Sequence, residues 1–142
     1  MKNSDIITLH IPYNKSTHYL INLKNINLIK KGAYIINTAR GGLIETAALL
    51  EALKNGIIAG AGLDVLEEEC FIKEERQLLS KEFPKECDVK IMLQNHVLMN
   101  QGNVIITPHN AFNSKEALER ILETTVLNIK SFIEGKPINI VN

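Results

Sequence analysis

The sequence predicts an α/β fold built on a parallel sheet, and three observations predict it. Short apolar runs rich in β-branched residues alternate with segments of helical periodicity. The runs are apolar throughout, the pattern of strands covered on both faces by helices. Glycine or proline closes each main helical segment.

The elements follow in order. Residues 5–10 form a first strand. Leu23, Ile26, Leu28 and Ile29 recur near helical spacing over residues 23–31, with lysines and then Gly32 closing the stretch. Residues 33–37 are a second strand. Residues 45–55 predict a helix with Ala47, Leu49, Leu50 and Leu53 as its apolar face. Glu45 suits the positive end of its dipole and Gly56 stops it. Residues 57–64 are a third strand, with glycines where other backbone can approach. Residues 67–101 are charge-rich, with Pro84 among them, and read as a surface excursion with helical fragments around 73–81 and 88–99. Residues 103–107 are a fourth strand. A long helix then runs from 114 to 134, with Asn113 as its cap and Glu116 completing a capping box. Leu118, Ile121, Leu122, Thr125, Ile129, Phe132 and Ile133 mark its apolar stripe, and Gly135 and Pro137 end it.

Size and charge narrow the function classes. With 142 residues the chain can bury one real core. Sixteen basic residues balance sixteen acidic ones, so no net positive field exists to collect nucleic acid or an anionic membrane. No apolar run reaches the ~20 residues that span a bilayer, and the opening residues 1–5, leading straight into a strand-like run, predict no secretory signal. Cys70 and Cys87 lie in charged surroundings without CxxC spacing, which argues against a disulfide framework or metal site and for a reducing cytoplasm.

In parallel sheets ligands sit beyond the carboxyl ends of the strands. The four strands end at His10-Ile11-Pro12, at Asn37 through Gly42, at Asp64 with Glu67, Glu68 and Glu69 behind it, and at Thr107-Pro108-His109. One rim therefore collects an arginine, carboxylates and two histidines. The Arg40 guanidinium offers a planar fork matched to a carboxylate, and Gly41 and Gly42 let backbone pass close to a ligand. A strand-end arginine also reads as the cap of a surface turn. His109 can pass a proton near neutrality if a carboxylate stands beside it. Taken alone, His109 reads first as a hydrogen-bonded loop histidine, and Glu67-Glu68-Glu69 as a solvated loop. His18 and His96 fall outside the expected site. Gly60-Ala61-Gly62 begins like a dinucleotide fingerprint but has Val65 where the third glycine belongs, and lies within a strand. Neither a Walker sequence nor a GxSxG elbow is present.

Four stretches taken together resemble the D-isomer-specific 2-hydroxyacid dehydrogenases: SDIITLHIP (4–12), KGAYIINTARGGLI (31–44), GAGLDVLEEE (60–69) and NVIITPHNAF (103–112). The long excursion and Phe112 look most like the D-lactate dehydrogenase branch, with phosphoglycerate and glyoxylate/hydroxypyruvate reductases as neighbours. The resemblance implies the C-terminal part of a Rossmann-like NAD-binding domain across residues 1–142, with 114–142 a helix and tail returning to a substrate domain. It implies NAD as cofactor and a 2-keto or 2-hydroxy acid as substrate. Arg40 matches the substrate-binding arginine, Glu69 the catalytic glutamate and His109 the acid/base histidine. Asp64 matches the aspartate near the nicotinamide, and His10, Ile11, Pro12, Thr17, Thr38, Ala39 and Arg40 match the cofactor rim. The family's GxGxxG unit has no counterpart here, so the expectation is a truncated, split or partial chain, completed by an N-terminal segment or a second copy. The other expectation is a non-catalytic remnant that associates through its open edge.

Overall fold

A computed structural model describes residues 1–68 and 88–141. Glu69, Cys70, Pro84, Cys87 and the expected helical fragment at 73–81 lie outside the described residues. The chain divides into two units, Met1–His109 and Asn110–Asn142.

The described residues of the first unit hold four strands: β1 (Ile6–Leu9), β2 (Ala33–Asn37), β3 (Ile58–Leu63) and β4 (Val104–Ile106). They pair in the order β1-β2-β3-β4, and every pair is parallel, as the sequence predicts. Among the described residues two helices accompany them, α1 (Thr46–Lys54) and α2 (Val89–Met99). Helix α1 packs on β3, on α2 and on the turn at Ile26–Leu28, and α2 packs on β4. The core between these helices and the sheet centres on Ile21, Ile26, Ile35, Leu49, Ile58 and Leu98.

Three expectations need correction. The stretch 23–31 forms only a 3-10 turn at Ile26–Leu28. Asn22 and Asn25 explain it: the Asn22 side chain accepts from Lys24 N, and the Asn25 side chain accepts from Asn22 N, offering the backbone an alternative to helix. In α1 the buried face is Thr46, Ala48, Leu49, Ala52 and Leu53, so Ala47 and Leu50 lie at its border. The third correction concerns coverage of the sheet. Strand β2 alternates between buried and exposed residues. Ile6, Tyr34, Ile36 and Ile105 share the exposed face, while Ile7, Ile35, Ala61 and Val104 share the covered one. The reason is topological. Strands added in one direction with crossovers of one hand put every connection on the same face. A second covered face needs strands added beyond β1, and among the described residues β1 has a neighbour on one side only.

Gly60 lies on the exposed face, where an added Cβ would stand 2.8 Å from the Asn103 carbonyl oxygen and 3.1 Å from the Tyr34 ring. Asn103 also donates its side-chain amide to the Ala59 carbonyl at 2.9 Å, fastening the entry of β4 to β3. Gly56 takes a left-handed conformation (φ 66°) and ends α1, as expected.

The second unit contains α3 (Lys115–Ile133). Its cap is Ser114, whose side chain accepts from Ala117 N, in place of the expected Asn113. Gly135 follows with φ 69°. None of its residues is buried, and Leu118, Ile121, Leu122, Ile129, Phe132 and Ile133 are exposed.

The two sheet faces should respond oppositely to charge. Ile105→Lys, at a residue 73% exposed, should change stability by under about 0.5 kcal/mol and reduce self-association. Ile35→Lys, at a fully buried residue of the same sheet, should prevent folding. Thermal unfolding and sedimentation of both variants check this; equal tolerance at the two positions would contradict the sheet's facing.

Candidate active site

The carboxyl ends of the strands converge on one cleft of about 440 Å³. Tyr13, His18, Tyr19, Arg40, Glu68 and His109 line it, and Glu67 forms part of its floor.

The turn after β2 presents Arg40. Buried Asn37 shapes that turn from within: its Nδ2 donates to the Arg40 carbonyl at 2.9 Å, and its Oδ1 accepts from Ala39 N at 3.1 Å. The guanidinium is exposed and donates to the Ala39 carbonyl at 2.6 Å. Gly41 is required by packing, since a Cβ there would fall 1.9 Å from the Leu66 carbonyl oxygen. A Cβ on Gly42 would fall 2.7 Å from the Tyr13 ring.

The exit of β3 presents Asp64 and the acidic run. Asp64 is buried, and its Oδ1 accepts from the Thr107 hydroxyl at 2.5 Å. Its carbonyl accepts from His109 N at 2.8 Å, and the same N–H also reaches the Thr107 carbonyl at 2.9 Å. These bonds hold His109 in left-handed backbone, φ 52°, a conformation that an L-residue takes at a cost. The imidazole thus enters the cleft from a backbone fixed by the neighbouring strand.

Glu67 departs from the solvated-loop reading of its segment. It is 7% exposed, and its Oε2 accepts from Thr46 N at 3.1 Å and from the Thr46 hydroxyl at 2.7 Å. A carboxylate therefore sits on the first amide of α1, where the helix dipole favours negative charge. The Tyr19 hydroxyl donates to its Oε1, and Asn95 of α2 donates to its carbonyl at 2.8 Å. Glu45, expected to serve the α1 dipole, instead accepts from Leu23 N at 2.9 Å. Glu68 lines the cleft and accepts from Asp88 N at 2.7 Å.

The structure thus brings Arg40, Asp64 and His109 to one rim. The expected cofactor positions group beside it. His10 has the Thr8 hydroxyl 2.7 Å from Nε2 and the Thr38 hydroxyl 3.4 Å from Nδ1. Thr17 donates to the Pro12 carbonyl at 2.9 Å. Ile11 and Pro12 are exposed, and Ala39 is half-buried. Glu69 lies outside the described residues. His18 lines the cleft although the sequence placed it elsewhere: the Tyr13 hydroxyl lies 2.9 Å from its Nδ1, and its ring stacks on Tyr19. His96 stands exposed on α2, as expected. Sequence reasoning passed over Tyr13, Tyr19, Asn37 and Thr107. Asn37 at a strand exit carried a turn signal; Tyr19 carried none, because its partner Glu67 is distant along the chain.

The rim fits one end of a dinucleotide. Exposed Ile11 and Pro12 could face a nicotinamide ring and the Thr38 hydroxyl its ribose, while Asp64 is buried with its Oδ1 bonded to Thr107. A pyrophosphate needs free amides at a helix N-terminus. In the described helices a chain oxygen caps one amide of the first turn: Glu67 on Thr46, Asp88 on Lys90 and Ser114 on Ala117. Among the described residues there is no cluster suited to a metal ion, and no helix is long and apolar enough to cross a membrane.

A parallel sheet with its polar cleft at the strand carboxyl ends defines a Rossmann-like domain. The chain belongs to the D-isomer-specific 2-hydroxyacid dehydrogenase family: the family's NAD-binding domain matches residues 1–111. It is 43% identical over 132 residues to a D-specific alpha-keto acid dehydrogenase of Enterococcus faecium, covering 93% of this chain and 38% of that one. A glycerate dehydrogenase of Methylorubrum extorquens is 39% identical over 99% of this chain and 39% of its own length. Among solved structures, the D-lactate dehydrogenase of Aquifex aeolicus complexed with NAD and lactic acid superposes with a TM-score of 0.77 at 43% identity, covering 95% of this chain and 39% of that one. The chain thus spans under two-fifths of these relatives' lengths.

Tyr19 provides a pH test of this network. Burial first, then the bond to Glu67, then the charges of Glu67, Glu45 and Glu68 push its ionisation well above the ordinary 10.0. The stabilisation is complete below pH 10.0 and is lost as pH rises through the folded-state value. An alkaline absorbance titration should show a late tyrosinate step that Tyr19→Phe removes, and the variant should lose stability less steeply above pH 10.0. Retention of that late step in the variant would contradict the network.

Proposed function

We propose that this chain carries the substrate-gripping and proton-transferring part of an NAD-dependent dehydrogenase that interconverts a 2-keto acid and a D-2-hydroxy acid. The observation that carries the proposal is the shared cleft of Arg40 and His109, which reach it from the ends of different strands. Arg40 pairs its guanidinium fork with the substrate carboxylate and orients the carbonyl. Protonated His109 gives its proton to the oxygen that becomes the hydroxyl, and takes it back in the reverse direction. Glu69, by resemblance, raises the basicity of that imidazole. Asp64 and the rim of His10, Ile11, Pro12, Thr17, Thr38 and Ala39 hold the nicotinamide end. NAD, when bound, supplies or accepts the hydride. The favoured substrates are lactate-type, in keeping with the D-lactate dehydrogenase likeness; glycerate and glyoxylate are the alternatives that other relatives name.

In this reading residues 114–142 return to a substrate domain, and an upstream segment or second copy supplies the pyrophosphate site. The reading places the protein in the cytoplasm, in keeping with the spacing of Cys70 and Cys87. A second reading, a non-catalytic association module, draws on the exposed apolar face of Ile6, Tyr34, Ile36 and Ile105.

Calorimetry with NADH and an assay with pyruvate separate the two. The 142-residue chain should bind NADH weakly and show no turnover, while the chain preceded by a glycine-rich half should turn over. Inactivity of a folded, NADH-binding completed chain toward every 2-keto acid tried would favour the second reading. In the completed enzyme Arg40→Lys keeps the charge and loses the fork, and kcat/KM should fall by about 2–4 kcal/mol of transition-state stabilisation. A near-normal kcat/KM would remove Arg40 from the site.

A further inference from the structure

We propose that Tyr19 is a positioning residue of the cleft: through Glu67 it fixes the turn leaving β3, and through His18 it fixes the facing wall. The proposal deepens the dehydrogenase reading and rests on it. Three sets of contacts support it.

The first set converges on Glu67. Tyr19 bonds one carboxylate oxygen, and Thr46 gives the other two donors, at 3.1 and 2.7 Å. Asn95 holds the Glu67 carbonyl at 2.8 Å. One buried residue thus joins the β1–β2 connection, the start of α1, the exit of β3 and α2. The neighbours of Glu67 on both sides, Leu66 and Glu68, line the cleft. Displacing Glu67 therefore displaces them.

The second set ties Tyr19 to the arginine turn. Tyr19 N donates to the Gly42 carbonyl at 2.8 Å, and Ile21 N donates to the Leu43 carbonyl at 3.1 Å. Tyr19 holds a left-handed backbone, φ 49°, which an aromatic residue keeps only where its surroundings over-determine it. Bonds from both its backbone and its side chain supply that determination.

The third set is aromatic. The Tyr19 and His18 rings stack with centroids 3.8 Å apart and planes 25° apart. His18 meets the Tyr13 hydroxyl at 2.9 Å, and the Tyr13 ring lies against Gly42. A continuous chain of contacts therefore runs from Glu67 through Tyr19, His18 and Tyr13 to the Arg40–Gly42 turn. Burial and the bond to Glu67 push the Tyr19 ionisation above its ordinary range, in keeping with a hydroxyl that donates to the carboxylate.

Two measurements test the proposal, and the first needs no activity. In the 142-residue chain, Tyr19→Phe preserves the ring and deletes the donor. Amide NMR signals of Arg40, Glu67, Glu68 and His109 should shift together, while those of Ile35 and Ala52 in the core hold still. Shifts confined to the sequence neighbours of Tyr19, or spread through the core, would overturn the proposal. Should Tyr19→Phe fail to fold, Glu67→Gln, which keeps the shape of the side chain, should move the same four signals; if they stay in place, the proposal falls. In the completed enzyme, Tyr19→Phe should lower kcat on the order of tenfold with KM for NADH unchanged, the mark of misplaced reacting groups. Unchanged kcat per folded molecule would show Tyr19 to be merely structural. A completed parent without turnover would instead defeat the dehydrogenase reading, and the amide shifts would still decide whether Tyr19 places the cleft.

Discussion

All four strands run parallel, and the site depends on that constraint. Parallel strands deliver their carboxyl ends to a single rim, so residues far apart in the chain arrive together. Arg40 comes from β2, Asp64 from β3 and His109 from β4. Backbone bonds between neighbouring exits then set their relative places: Asp64 N donates to the Asn37 carbonyl at 2.9 Å, and His109 N to the Asp64 carbonyl at 2.8 Å. Backbone bonding between neighbouring strands thus continues beyond their ends, into the cleft.

The acidic run shows how burial divides residues of one type. Three successive glutamates carry the same chemistry in sequence. Glu67 turns inward and is held by hydroxyl and amide donors at the start of α1, while Glu68 remains at the cleft. A carboxylate taken out of water stays charged only where donors replace the lost solvent. That requirement explains why Thr46, Tyr19 and Glu67 form one unit.

Coverage of the sheet is asymmetric for a topological reason. The order β1-β2-β3-β4 puts α1 and α2 on the same face, and leaves Ile6, Tyr34, Ile36 and Ile105 exposed on the other. The apolar stripe of α3 is also exposed. Both surfaces are apolar in composition without being buried here, so hydrophobicity alone did not report which faces this chain covers.

The sequence by itself determined the four strands, the parallel sheet, α1, the helix over 89–99 and the long α3, because apolar periodicity and glycine stops are local properties. It also placed Arg40, Asp64 and His109 at strand ends, and therefore on one rim. Local bonding misled it at residues 23–31, where asparagine side chains displaced a helix, and at Asn113, where Ser114 took the cap. Only the tertiary structure decided that His18 and Tyr19 border the cleft and that Glu67 is buried. Those outcomes rest on contacts between segments remote in sequence, such as Tyr19 with Glu67 and Thr46 with Glu67. No periodicity encodes such pairs; they exist once the sheet has brought its connections together.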